Sequence, residues 1–260
     1  MRVNKRILTP KKRVFSFVVD GKCELWYLQL LKQHENLNIN LEPKLPQKKK
    51  LQDQFDLVKD LEKESEKVFW IIDFDSIMKE TQEARKGNKT ALKVFQELYA
   101  KSLKNKNIVV IINNPCLEYW FLQHFEQTSK YYATYENLER SLKKYLSDYE
   151  KTERYYKSVS QNIYQKLKPN LQTAISNAEK LGVFDFENYQ KGFTEMHKIF
   201  EELQLKQKTI NKTSYNERFG VIGGVCPQKH LCVFVSSPPA SAFVSRQPRE
   251  AATTLVAILG

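Results

Sequence analysis

No CxxC pair, no Gly-rich phosphate loop and no apolar run of membrane length occurs in this 260-residue chain. The four cysteines, Cys23, Cys116, Cys226 and Cys232, have no zinc spacing with one another or with the four histidines, which excludes a zinc ribbon or a disulfide framework. Without a G-x-x-x-x-G-K-[ST] loop, a small-molecule phosphotransferase is the weakest of the enzyme classes considered. No segment approaches the roughly 18–20 apolar residues of a membrane span. Arg2, Lys5, Arg6, Lys11, Lys12 and Arg13 leave no apolar h-region before Val14, so the expectation is a cytoplasmic protein with reduced thiols. Arg is scarce beside Lys, which argues against a reader of specific base sequences, since such readers lean on the bidentate guanidinium.

What is present is apolar content of 41%, charged content of 28% and a formal net charge of +12. The first two fit a soluble globular protein. The third favours an anionic partner, with nucleic acid first among them. A general preference for surface Lys explains the charge about equally well.

Acidic residues stand just past the ends of apolar runs. Val14–Val19 leads into Asp20-Gly21 with Glu24 close behind; Val68–Ile72 leads into Asp73-Phe74-Asp75; Ile108–Ile112 leads into Asn113-Asn114-Pro115, with Glu118 shortly after. Short β-branched and aromatic runs of this kind read as buried strands of a parallel sheet. Ligands of such sheets bind at the carboxyl ends of the strands. Carboxylates gathered there repel one another unless a cation lies between them, which points to a divalent-metal site.

Between these runs, Cys23–Gln33, Leu51–Lys63 and Lys79–Leu103 (interrupted near Gly87-Asn88) carry helical spacing, and Leu37–Leu41 a short further strand. Alternation of strands and helices predicts an α/β fold with a small parallel sheet over residues 1–130. Beyond Tyr135 the strand signal stops. Glu136–Tyr149, Tyr155–Leu167, Asn170–Leu181 and Tyr189–Leu205 read as amphipathic helices, so residues 131–210 are expected to form a helical extension packed on the sheet. Near Phe219 the composition turns abruptly to Val, Ala, Ser and Pro, and 219–260 is set aside as a non-native or disordered tail.

On an extended segment, Asp73 and Asp75 would share one side and could reach one Mg²⁺. Asp20 is as well suited to capping the next helix, and Glu24 to facing its positive end. Asn114 is placed to cap a helix beginning at Pro115, with Trp120, Phe121 and Phe125 on an aromatic face. His124 is a structural hydrogen-bonder by default, a general base or phosphate contact otherwise. Cys23 and Cys116 start helices beside the site but have no paired His, and read as small buried residues. Lys48-Lys49-Lys50, Lys143-Lys144-Tyr145 and Arg154-Tyr155-Tyr156-Lys157 could track a phosphate backbone with aromatic stacking, or form a solvated face.

The runs Phe17–Glu24 with Trp26-Tyr27-Leu28, Ile71–Asp75 and Asn114–Trp120, in this order, resemble the RloB-like family, Toprim-type proteins associated with restriction and abortive phage infection loci. Ala174-Ile175 and Asn177-Ala178 resemble its helical half, and the likeness covers about residues 13–205. It implies a Toprim fold in which an acid after the first strand and a DxD after the third hold Mg²⁺ (or Mn²⁺) during phosphoryl transfer. Carried over, the metal ligands are Asp20, Asp73 and Asp75, with Glu24 and Glu118 matching further acids of the family's motifs. Asp20 stands where the family of folds usually has Glu, one methylene longer, which puts full activity in question. The resemblance also implies a companion ATPase. The expected function is therefore a Mg²⁺-dependent endonuclease acting on nucleic acid, DNA first, in anti-phage defence. The alternative is a non-catalytic module that binds nucleic acid or docks on the ATPase. The oligomeric state stays open, a homo-oligomer included.

Overall fold

Four apolar runs pair side by side. In the computed structural model, β1 (Phe15–Val18) lies between β2 (Ile39–Glu42) and β3 (Lys67–Asp73), and β4 (Ile108–Asn114) flanks β3 on its far side. All three pairings are parallel, with Phe17 opposite both Leu41 and Phe69, and Asp73 opposite Asn113. A fifth strand, β5 (Phe193–Thr194), adds antiparallel to β4 and completes the order β2-β1-β3-β4-β5. The result is a mixed α/β fold with a mostly parallel sheet flanked by helices, consistent with a Toprim-like arrangement. Residues 14–44, 49–85 and 87–205 are described, all within one compact unit. The expected tail of 219–260, with Cys226 and Cys232, and Lys48 of the lysine run lie outside the described residues.

The strands are continuously apolar because both faces of the sheet are covered. Phe17, Phe69, Ile71 and Ile111 point to one face, where α1 (Lys22–His34) and much of the second half of the chain cover them. Val68, Trp70, Ile72, Val110 and Ile112 point to the other, against α2 (Leu51–Glu62), α3 (Phe74–Gln82) and α4 (Ala91–Ser102). The Trp70 indole Nε1–H donates to the Gln54 carbonyl oxygen at 3.0 Å, so the largest side chain of β3 buries no orphan donor. Among the described residues no helix is long and apolar enough to cross a membrane.

The second half is helical in shorter pieces than its periodicity predicts. It contains α5 (Glu118–Gln123), α6 (Tyr135–Leu142), α7 (Glu153–Tyr156), α8 (Ile163–Leu167), α9 (Leu171–Glu179) and α10 (His197–Glu202). The expected helix Tyr155–Leu167 breaks into α7 and α8 because Thr152 and Asn162 each cap a new start. Asn162 and Gln165 form a reciprocal capping box. The expected helix Tyr189–Leu205 is instead β5 followed by α10. Gly192 is the reason: a Cβ there would lie 2.3 Å from the Lys130 carbonyl oxygen and 2.4 Å from the Tyr119 ring. Its N–H donates to the Ser129 carbonyl at 3.1 Å, so the chain runs extended against its neighbours here.

Candidate functional site

The carboxyl ends of β1 and β3 place the expected acids. Two residues beyond Val18, the chain reaches Asp20, and Gly21 then opens α1. Gly21 is required for a local reason. A Cβ on it would stand 2.0 Å from Glu24 Oε2, so the Glu24 carboxylate fills the space a side chain would take. Glu24 is buried there. Asp20, Glu24 and Asp73 line one small hollow of about 100 Å³, together with Lys49 and Gln54.

Asp75 departs from expectation. Asp73 ends β3, but Phe74 already belongs to α3, so Asp73 and Asp75 do not lie on one extended segment. Two residues of helix turn a side chain by roughly 200°, and Asp75 faces a second hollow on the other side of α3. Asp73 and Asp75 still repel one another through the first turn. The Asp75 N–H donates to the Pro115 carbonyl at 3.2 Å, which ties this turn to the loop after β4.

That loop delivers Glu118, although not as expected. Asn114 ends β4 and caps no helix; its side-chain amide donates to the carbonyls of Tyr189 at 2.7 Å and Lys191 at 2.8 Å. The helix begins three residues after Pro115, at Glu118, which is fully buried. Glu118 Oε1 accepts a hydrogen bond from the Tyr149 hydroxyl at 2.8 Å and lies 3.0 Å from Lys151 Nζ. Lys151 was not identified from the sequence. It comes from the segment between α6 and α7, its ammonium also sits 4.6 Å over the Tyr135 ring, and it is felt by Glu24, Asp73 and Asp75. A lysine in a Lys-rich stretch carries no local mark that would have singled it out.

Burial and mutual repulsion dominate the electrostatics. Asp73 is held well above the ordinary carboxylate range by burial, then by Glu24, Asp75 and Glu118. Burial raises Glu24, with Glu118 adding to it; Asp75, exposed at the start of α3, is raised by partial desolvation of its carboxylate. Burial works against the charge on Lys151, but Glu118 and the groups around it outweigh this and raise it. Cys23 is pushed up to about 12 by burial, Glu118 and Glu24; Cys116 is also raised, by burial, Glu118 and Asp73. Both thiols are buried and stay protonated, so they are packing groups and not nucleophiles. His124 is buried, and its Nδ1–H donates to the Trp120 carbonyl at 3.0 Å. Burial lowers it to about 4, which makes it a neutral structural residue. Tyr155 and Tyr156 are buried and unavailable for stacking on bases; Tyr131 and Tyr145 are the exposed tyrosines among the described residues.

The donors suit a hard cation in kind. All are carboxylate oxygens, and the buried atoms Asp73 Oδ1 and Glu118 Oε2 have no hydrogen-bond partner. Among the described residues, no group of three or more His, Cys, Asp and Glu is arranged to hold a metal ion. Mg²⁺ needs no such cage, since it commonly takes one or two carboxylates and keeps water in its other positions.

A family model described as RloB-like protein matches residues 15–203, spanning the sheet, the acid cluster and the helices behind it. No curated protein and no solved structure matches the chain. With most of its length matched, the chain belongs to the RloB-like family.

Proposed function

From membership of the RloB-like family, we propose that the protein is a Mg²⁺- or Mn²⁺-dependent, Toprim-like endonuclease that cleaves or nicks nucleic acid, DNA first, in bacterial anti-phage defence. The observation that carries this reading is the meeting of Asp20, Glu24 and Asp73 in one hollow at the carboxyl ends of parallel strands, with Asp75 and Glu118 near enough to raise Asp73. Buried, mutually repelling carboxylates in a hollow are the arrangement in which functional sites shift pKa values.

Of the three expected ligands we assign Asp20 and Asp73, which share one hollow, to the cation, with water in its other positions; Asp75, on the other side of α3, contributes its charge. When bound, the cation would offset charge on the phosphodiester and lower the pKa of a bound water. Glu24, raised by burial and then by Glu118 and placed in the same hollow as Asp20 and Asp73, is the general acid/base of this proposal. Lys151 holds Glu118 in place and brings positive charge near Asp73. Supercoiled plasmid should be nicked in Mg²⁺ or Mn²⁺, and the Asp73→Ala, Asp75→Ala double variant should lose this activity by about a hundredfold or more. Undiminished cleavage by the double variant removes the proposal.

Two observations favour a second reading, a non-catalytic module that binds nucleic acid or docks on a companion ATPase. Lys151 already supplies a cation to the cluster, and Asp20 is shorter than the usual Glu. That reading expects DNA binding that weakens with salt but ignores both divalent metal and the Asp substitutions.

A further inference from the structure

Beside the acid cluster, on the Asp75 side of α3, lies a hollow of about 240 Å³. Phe74, Asp75, Tyr131, Tyr132 and Tyr189 line it, with Lys79 on α3 adding a cation. Its volume falls just below the roughly 300 Å³ at which pockets for drug-sized ligands begin, which is room for one flat ring system rather than a chain. The aromatic walls are set in place before any ligand arrives. Tyr189 packs against Phe74 at 5.7 Å between centroids, and its carbonyl takes the Asn114 amide. Tyr132 is buried against Tyr119, with Lys130 Nζ 5.2 Å from its ring. The neighbouring Ser129 carbonyl is held by the Gly192 N–H. Tyr131 is 38% exposed, whereas Tyr149, Tyr155, Tyr156 and Tyr164 of the same half are spent in the core. Tyr131 thus keeps part of its ring surface open beside a preformed aromatic hollow, a lysine and an acid.

We propose that this hollow is a subsite for one unpaired nucleobase of the strand whose phosphodiester reaches the acid cluster. The proposal rests on the phosphodiester reading above and adds to it the form of the substrate: a single strand, or a duplex locally opened. Aromatic stacking accepts any base, because each presents a π face, while Lys79 meets the backbone charge. A paired base cannot enter, because its edge and both faces are occupied in the duplex.

The test is fluorescence anisotropy on the full chain with labelled oligonucleotides of about 12 nucleotides, offered as single-stranded DNA, single-stranded RNA and the matching DNA duplex, in Ca²⁺ without Mg²⁺. Single strands should bind at least tenfold more tightly than the duplex. Tyr131→Ala, at an exposed position that does not threaten the fold, should weaken strand binding about 5- to 100-fold and leave duplex binding unchanged. Tyr131→Phe should restore it. Equal affinity for strand and duplex, no binding of either, or strand affinity within twofold in Tyr131→Ala overturns the subsite. Plasmid nicking by the wild type, assayed alongside, separates the two readings. Nicking retained with strand preference absent removes the subsite alone; strand preference retained with no nicking removes the nuclease reading and leaves the subsite standing.

Discussion

Asp73 is held by the fold against its own electrostatics: half-buried, beside Glu24 and Asp75, with one buried oxygen lacking a partner. The local counterweight is Lys151. Replacing it with Met should leave Glu118 buried with its Tyr149 hydrogen bond alone. A fully buried pair broken in this way costs about 3–5 kcal/mol, but 40% of the Lys151 side chain is in water. The expected loss by chemical denaturation is therefore about 1–2 kcal/mol, and Glu118→Gln in the same chain should recover part of it. His124 makes the opposite kind of prediction, on pH. Its folded pKa, about 4, lies below the ordinary value of 6.5. Its stability contribution is then present above pH 6.5 and is lost as pH falls toward 4, by on the order of 3 kcal/mol. Urea denaturation of wild type and His124→Leu at pH 7.5 and pH 5 checks this: the variant, whatever its loss at pH 7.5, should lack that part of the acid-induced decline. At this scale the acids were legible in the sequence, because strand ends and acidic letters are adjacent in the chain. Lys151 was not, because nothing near it in sequence says which surface it will meet.

At the scale of elements, β1, β3, β4 and the helices α1, α2 and α4 follow their periodicity closely, since both faces of the sheet demand apolar residues throughout. The DxD segment was misread because helix α3 starts immediately after Asp73, and its hydrophobic signal begins with the shared residue Phe74. The edge strand β5 was missed altogether. It is only Phe193–Thr194, too short for an alternating pattern, and it is held by tertiary partners. Buried Glu195 is the chief of these. Its Oε2 accepts the Ile112 N–H at 3.1 Å while its own N–H donates to the Ile112 carbonyl at 3.1 Å, so a side chain and backbone together close the edge of β4. Glu195→Ala would strand the Ile112 N–H and should cost about 1–3 kcal/mol. Gly192→Ala, which drives a Cβ into the Lys130 backbone, should cost a similar amount. Each should lower the melting temperature by about 3–10 °C for a chain of this size, measurable by calorimetry.

For the whole molecule, the formal charge of +12, with Lys49 at the acid hollow, sets the terms of any encounter with nucleic acid. Binding should fall tenfold or more between 50 and 200 mM salt, with each phosphate contact adding about 0.9 to the slope of log K against log salt; a flat salt response would exclude a phosphate-tracking surface. The sequence by itself determined what is local. Apolar runs specify strands, 3.6-residue spacing specifies helices, and the order of the three acidic motifs specifies the family. Each of these depends on residues that are neighbours along the chain. Only the tertiary structure decided which acids meet. It turned Asp75 around the first helical turn, seated Glu24 against the bare backbone of Gly21, and brought Lys151 from the helical half to Glu118. Burial and charge act through space, with strengths set by distance and exposure, and neither quantity exists until the chain has folded. The acids at the strand ends were therefore readable as letters, but their state as a raised, partly compensated cluster belongs to the fold.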